Sequence, residues 1–302
     1  MKQLAGKTAI ISGGAEGIGL GIAKAMGRHG MNIVLADINP EQLQEAEQSI
    51  QAMSVPVLAL PLDVAVREQW DDVARQAADH FGNIHMLVNN AGVGGRPLPI
   101  DQEQEQDWRW VVDVNLMGVV NGAHAVTPLI KQHGEGGWII NVASMAGFAS
   151  LPLAGAYTAT KAAVVALSEC WHAEMQADNI HVSVLCPGFV KTRINLSDRN
   201  KQGQYQTDRE SGGNKPVSNK PSAKLQELGQ QMQSIIDAGT PPELIGDRVV
   251  EALAAKELYI ITHPNYRPGI EARFTGIIDA FKRAESSPLL ADVGEQRIPQ
   301  ID

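Results

Sequence analysis

A chain of 302 residues, 44% hydrophobic and 20% charged, can bury a sizeable core and is too long for a disulfide-stapled module. Its two cysteines, Cys170 and Cys186, exclude a disulfide framework or a four-cysteine metal site and favour a reducing compartment. A formal net charge of −9 argues against nucleic acid or an anionic membrane as a partner.

No apolar run approaches the ~18 residues of a membrane span. Met1-Lys2-Gln3-Leu4 runs into a strand-like segment with no signal-peptide layout, so a cytoplasmic protein is expected.

Residues 8–12 read as a buried strand. They run into Ser12-Gly13-Gly14-Ala15-Glu16-Gly17-Ile18-Gly19 and a helix over 17–29, stopped by Gly30. Glycines at a strand-to-helix turn let backbone approach a ligand, and the helix N-terminus offers free N–H groups to a pyrophosphate. The spacing is G-x-x-x-G-x-G rather than the general dinucleotide G-x-G-x-x-G. The second strand, 33–37, ends in Asp37. A carboxylate there accepts both ribose hydroxyls of an adenosine and repels a 2′-phosphate, and Ile38 offers no charge to neutralise one. The cofactor expected is therefore NAD, with NADP disfavoured, although Asp37 could also simply cap a strand end.

A helix over 40–53 opens with Pro40. A third strand over 57–60 leads to Asp63-Val64, a contact for the adenine edge. Helix 66–81, strand 85–89, a long helix over 107–132, strand 138–142, helix 156–177, strand 180–185 and a late strand 258–262 complete the pattern. Continuously apolar strands alternating with helices predict a doubly wound, mostly parallel seven-stranded Rossmann sheet covered on both faces. The reading places 1–302 in one domain, with an insertion over 193–240 and a surface tail over 284–302. Within the insertion, 197–224 is a polar excursion with almost no apolar residues. Leu225, Leu228, Met232, Ile235 and Ile236 then predict a helical lid carried on that polar hinge.

Tyr157 and Lys161 share one helix face four residues apart. A tyrosine serves as a base at neutral pH only if its anion is stabilised, and a shift of about 3 units needs roughly 4 kcal/mol. A lysine one turn away, beside a cationic nicotinamide, is a source of that stabilisation. Ser144 ends the fifth strand and Asn115 lies in the preceding long helix. The eight histidines form no H-E-x-x-H or comparable pair, so no metal is expected. Val142 occupies the first glycine position of G-x-S-x-G, so Ser144 is no hydrolase nucleophile. Cys186 reads as a buried small hydrophobe.

Together these motifs resemble the short-chain dehydrogenase/reductase family over residues 7–190. Ser12 to Gly19 is similar to the family's cofactor turn, with Ser12 where threonine is usual. Asn89-Asn90-Ala91-Gly92 matches the family's NNAG, which steadies the central sheet beside the cofactor. Pro187-Gly188, Val190 and Thr192 resemble the segment that holds the nicotinamide carboxamide. The resemblance implies that Tyr157 is the general acid/base and that Lys161 binds the nicotinamide ribose and lowers the Tyr157 pKa. It also implies that Ser144 hydrogen-bonds the substrate oxygen, that Asn115 holds a relay water and that the insertion over 193–240 is substrate-covering. A homotetramer built through the Tyr157 helix and the long helix before it is implied too, with a dimer as runner-up.

The substrate expected is a small molecule, a hydrophobic alcohol or ketone rather than a sugar. Its walls should come from Val93, Gly94, Gly95, Met145, Phe148, Leu151, Leu153, Phe189 and Ile194, a mostly apolar set. Ala146-Gly147-Phe148, Leu153-Ala154-Gly155, Leu258-Tyr259-Ile260-Ile261, His263-Pro264 and Ile277-Ile278-Asp279 are similar to bacterial members that oxidise benzylic alcohols of lignin-derived aryl ethers. That similarity implies a bulky aromatic or lipophilic secondary alcohol. A 3-oxoacyl or hydroxysteroid reductase would use the same residues. A non-catalytic NAD sensor would need the fold but not the four catalytic candidates.

Overall fold

Seven strands lie parallel in the order β3-β2-β1-β4-β5-β6-β7. The computed structural model describes residues 4–206, 223–291 and 293, with the side chains of 223–229 left out. The strands are β1 (Thr8–Ser12), β2 (Asn32–Asp37), β3 (Val57–Pro61), β4 (Met86–Asn89), β5 (Gly137–Val142), β6 (Ile180–Cys186) and β7 (Tyr259–Ile261). All five residues of β1 are buried, as a central strand covered on both faces requires.

Helices α1 (Gly17–Arg28), α2 (Pro40–Gln51) and α3 (Arg67–Phe81) follow the first three strands. Asn39 caps α2, its side chain accepting the Gln42 N–H at 3.1 Å, with Pro40 at the first helical position. Gly82 closes α3 at φ +77°. The long helix expected over 107–132 comprises α4 (Glu105–Val112), a π-helical turn (Asp113–Met117) and α5 (Gly118–Gln132). Then come α6 (Gly155–Glu174), α7 (Ala223–Asp237) and α8 (Pro242–Ala255).

Two apolar clusters sandwich the sheet. One joins α1, α2 and α8 to Ile11, Ile33, Leu35 and Val88. The other joins α3, α4 and α5 to Ile10, Val34, Leu87 and Ile139, with Trp70 and Trp110 at its centre. Among the described residues no helix is long and apolar enough to cross a membrane.

The structure divides the chain after Thr262, where the sequence reading kept one domain. The first unit holds β1–β7 and α1–α8. The second holds α9 (Arg267–Glu285), flanked by single turns of 3-10 helix at Pro264–Tyr266 and Pro288–Leu290. Most of the expected tail, at 292 and 294–302, lies outside the described residues.

The polar excursion is only partly described, since 207–222 fall outside. Its first part departs from expectation. Ser197, Lys201 and Tyr205 are buried rather than solvated. Lys201 Nζ pairs with Asp107 at 2.5 Å and lies 5.5 Å from the Trp110 ring centre. The Tyr205 hydroxyl donates to Asp113 at 2.8 Å. Polar side chains are buried here because charged partners on α4 and the π-turn receive them. In α7, Ile236 is buried and Ile235 exposed, while the side chains of Leu225 and Leu228 lie outside the described residues.

Candidate active site

A doubly wound sheet opens a ligand crevice outside the carboxyl ends of its strands where the strand order reverses. Here that place is between β1 and β4, and the glycine turn after β1 fills it. Gly13 (φ +59°) and Gly17 (φ +54°) sit in the left-handed region. A Cβ on Gly13 would stand 2.8 Å from Ala91 Cα, and one on Gly19 2.1 Å from the Gly13 carbonyl oxygen. A Cβ on Gly17 would stand 3.0 Å from Thr192 Cγ2, so the segment after β6 closes against the start of α1.

Ser12 Oγ accepts the N–H groups of Asn90 (3.0 Å) and Ala91 (3.2 Å) and donates to Val88 O. Asn90 Nδ2 donates to the carbonyls of Ser12 (3.0 Å) and Gly13 (2.8 Å). These bonds lock the glycine turn to the segment after β4. α1 starts at Gly17 without a side-chain cap, leaving the first amides, Ile18 among them, to an anion. The close-packed glycines and uncapped helix end fit a dinucleotide pyrophosphate.

Asp37, 8% exposed, stands at the carboxyl end of β2. Oδ2 accepts the Ala15 N–H and Oδ1 the Asn39 N–H, both at 3.1 Å. Burial pushes the carboxyl above its ordinary range, against the pull of those two amides. Asp63 is also raised by burial; Oδ1 accepts Ala65 N–H and Oδ2 accepts Gln202 Nε2, both at 3.0 Å. Val64 is buried beside it.

Ser144, just past β5, accepts the Ala146 N–H at 3.1 Å and reaches Pro187 O at 3.5 Å. Pro187 O also accepts Met145 N–H at 2.9 Å, which ties the segment after β6 to the segment after β5. Val190 pairs with Thr240 in an isolated bridge. Tyr157 and Lys161 lie one turn apart on α6. Lys161, 3% exposed, donates from Nζ to Val142 O at 2.8 Å, with Nζ 5.7 Å from the Tyr157 ring centre. Burial lowers the Lys161 pKa to about 8. Burial raises Tyr157, against a lowering hydrogen bond with Ser144. The lowering of Tyr157 expected from Lys161 is thus absent in the free chain. The ammonium is itself desolvated and committed to the Val142 carbonyl.

Asn115 lies in the π-turn and is fully buried. Oδ1 accepts Val93 N–H at 2.8 Å, and Nδ2 donates to Val93 O at 2.9 Å and to Thr160 Oγ1 at 3.4 Å. Thr160 Oγ1 in turn donates to Tyr157 O at 2.9 Å. A Cβ on Gly92 would stand 3.3 Å from Asn115 Oδ1 and 3.4 Å from Lys161 Nζ, so both groups border the same small space. Asn115 Oδ1 has one lone pair beyond its bond to Val93, as a relay water would need.

The cleft beside Tyr157 is lined by Gly94, Gly95, Arg96, Glu103, Asp107, Trp108, Val111, Ala154 and Ala156. Of the nine expected wall residues, only Gly94 and Gly95 line it. Val93 and Met145 are buried, Phe148 packs edge-on to Tyr259, and Leu151 is exposed. Leu153 takes φ +65°, and its carbonyl accepts the Leu98 N–H at 3.1 Å. The wall also carries more polar groups than expected, but they are paired internally. Arg96 meets Asp198 at 3.1 Å, Asp107 meets Lys201, and Trp108 Nε1 donates to Glu103. Pairing of this kind leaves the half-buried Trp108 ring and Ala154 as the accessible apolar lining, while Val111 is buried.

Comparison with known proteins agrees with this geometry. The family model described as short chain dehydrogenase matches residues 7–203. The chain belongs to the short-chain dehydrogenases. It is 34% identical over 281 residues to the CLA biosynthesis dehydrogenase/reductase of Lactiplantibacillus plantarum, covering 92% of this chain and 95% of that one. It is 32% identical over 288 residues to the C alpha-dehydrogenase of a Sphingobium strain, covering 95% and 90%. A Burkholderia phymatum short-chain dehydrogenase solved in complex with NAD superposes with a TM-score of 0.84 at 30% identity, covering 92% and 96%. The apo form of Sphingobium LigO gives a TM-score of 0.77 at 30% identity, covering 99% and 100%.

In this short-chain dehydrogenase, Glu16 is a contact that motif reading missed. It lies in the glycine turn and pairs with Arg193 and Arg199 of the segment after β6. Arg193 also donates to Gln42 on α2. The available signal was the pair Arg193 and Arg199 in the segment that follows the expected carboxamide-binding stretch. Away from the crevice, His85, His133 and Glu135 bring possible ligand atoms within 4.8 Å of one another. His133 bonds Ile84 O and Glu135 N–H, His85 Nδ1 accepts Thr8 N–H, and Glu135 pairs with Lys7 at 2.9 Å. This short-chain dehydrogenase thus uses those side chains as a hydrogen-bonded network around the start of β4.

Proposed function

We propose that this short-chain dehydrogenase uses NAD(H) to interconvert a hydrophobic, aromatic secondary alcohol and its ketone. The observation that carries the reading is the convergence of Ser144, Tyr157, Lys161 and Asn115 beside the glycine turn. Ser12, Gly13, Gly17, Ile18 and Gly19 would hold the pyrophosphate, Asp37 the adenosine ribose, and Asp63 with Val64 the adenine edge. Asn90, Ala91 and Gly92 would border the cofactor, and Pro187, Gly188, Val190 and Thr192 its carboxamide.

Bound NAD supplies a two-electron acceptor or, reduced, a hydride. Tyr157 takes the hydroxyl proton in oxidation and returns it in reduction. Ser144 donates to the substrate oxygen as negative charge develops on it. Lys161 keeps a cation close to Tyr157 and binds ribose hydroxyls, and Asn115 holds a water that passes protons from Lys161 outward. A buried carboxylate at Asp37, held by two backbone amides, rejects a 2′-phosphate by repulsion and desolvation, which supports NAD over NADP.

The aromatic substrate is supported by similarity to the C alpha-dehydrogenase over 95% of the chain, and the half-buried Trp108 ring lies in the lining beside Tyr157. The assembly proposed is a homotetramer, with a dimer as the alternative. The testing experiment is a kinetic panel of 1-arylalkanols, a 3-hydroxysteroid and a 3-oxoacyl thioester with each cofactor. The expected result is highest kcat/KM for an arylalkanol with NAD, about tenfold or more above NADP. A steroid, thioester or NADP preference overturns the substrate or cofactor assignment.

A further inference from the structure

Two buried anchors fix the chain between Lys201 and Tyr205. Lys201 pairs with Asp107 at 2.5 Å, and the Tyr205 hydroxyl donates to Asp113 at 2.8 Å. Gln202 stands between these anchors and donates from Nε2 to Asp63 Oδ2 at 3.0 Å. Its Oε1 is buried and accepts no hydrogen bond among the described residues. A buried acceptor without a donor is unfavourable, so the position calls for a donor that arrives from outside.

The surroundings of Gln202 say which donor fits. The Val64 carbonyl accepts Trp70 Nε1 at 3.2 Å and Asn121 Nδ2 at 3.1 Å, which holds Val64 in place. The Val64 N–H has no hydrogen-bond partner among the described residues. A free N–H next to a carboxylate and an amide oxygen is the complement of the 6-amino edge of adenine. On that edge ring N1 accepts, and the exocyclic amino group offers two N–H.

We propose that Gln202 is an adenine-reading residue, its Oε1 accepting one N–H of the cofactor's 6-amino group while Asp63 accepts the other. This rests on the reading of Asp63 and Val64 as the adenine contact and extends it to the segment after β6. Glutamine amides make the same kind of contact with adenine N6 in nucleic acids.

Asp63 also makes the contact selective. A free glutamine amide can turn over and offer its NH2 where its oxygen stood. Here that turn would set Oε1 against Asp63 Oδ2, two acceptors with no proton between them. The amide is therefore held ready to accept from an amino group and unable to donate to a carbonyl. Hypoxanthine carries an oxygen at position 6 and an N–H at position 1. It reverses the pattern and meets a mismatch at Gln202 and at Val64 alike.

The test is direct binding of NADH and of reduced nicotinamide hypoxanthine dinucleotide to the full chain, followed by nicotinamide fluorescence without substrate. The parent should bind NADH about tenfold or more tighter than the hypoxanthine analogue. Gln202→Met removes the acceptor at similar length. It should weaken NADH about three- to tenfold and leave the analogue's dissociation constant within about twofold, so the preference contracts. Gln202→Leu should show the same contraction and serves if the methionine variant does not fold. The preference is a ratio taken within one protein, so a variant that merely loosens the segment weakens both dinucleotides together and leaves it unchanged. An unchanged ratio, or a parent that binds the two equally, overturns the assignment of Gln202 while the NAD reading stands. A parent that binds neither dinucleotide overturns both.

Discussion

Lys161 is held in the fold at a cost. Its ammonium is 3% exposed, has one carbonyl as a hydrogen-bond partner, and has its pKa brought down to about 8. Between pH 8 and the ordinary lysine value of 10.5, the unfolded chain holds a proton that the folded chain has released. Stability therefore rises with pH across that window, and below about pH 8 the penalty is present in full. Lys161→Met removes a penalty of roughly 3 kcal/mol and strands the Val142 carbonyl for ~1–2 kcal/mol. The variant should unfold about 1–2 kcal/mol harder than the parent at pH 7 while losing turnover, and above pH 10.5, where only the stranded carbonyl counts, it should be about 1–2 kcal/mol less stable. Denaturant titrations at pH 7 and pH 10.5 check this, and a less stable variant at pH 7 contradicts it. At the same scale, the places of Ser12, Asp37, Asn90, Ser144, Tyr157 and Lys161 in the fold were legible because their motifs fix residue type and position relative to the strand ends and α6. The raised Tyr157 pKa was not legible, because it depends on how deep α6 places the ring and on which acceptor the neighbouring ammonium finds.

Among the elements, the segment from Ile194 to Gln206 shows what composition hides. Its low hydrophobicity reads as solvated loop, yet Lys201 is inserted between Asp107 and the Trp110 ring, and Tyr205 reaches Asp113. A few buried polar anchors with charged receivers can order a segment that average hydropathy assigns to solvent. Asp107→Ala should leave the Lys201 charge buried and unpaired and cost about 3–5 kcal/mol. Asp107→Leu combined with Lys201→Met should lie within about 1 kcal/mol of the parent, since apolar replacement of both partners removes the desolvation cost. Thermal unfolding of the three proteins checks both expectations, and equal losses in the two variants would contradict the pairing argument. The π-turn at Asp113–Met117 escaped sequence reading for a related reason. One extra residue per turn leaves the apolar pattern on either side intact, yet it sets Asn115 against the Val93 backbone.

At the level of the whole molecule, the sheet was legible from its strands. Seven apolar runs separated by helices allow few topologies once crossovers are right-handed, and the observed strand order is one of them. The division after Thr262 was not legible, because β7 and α9 are joined by only a few residues and a single turn at Pro264–Tyr266, as elements of one domain would be. The strand order places the carboxyl ends of β1, β4 and β5 side by side, so the glycine turn, Asn90 and Ser144 converge from distant stretches of sequence. Lys161, on α6, reaches the same place by bonding to the last residue of β5. Under the proposed function this convergence moves a proton through Tyr157 while a hydride moves between substrate and NAD. The most direct measurement is NADH formation from a 1-arylalkanol by the parent protein and by Tyr157→Phe, at saturating NAD. The expected result is a loss of about a thousandfold or more in kcat with NAD affinity within about tenfold of the parent. A phenylalanine variant that keeps most of the parent's kcat would contradict it.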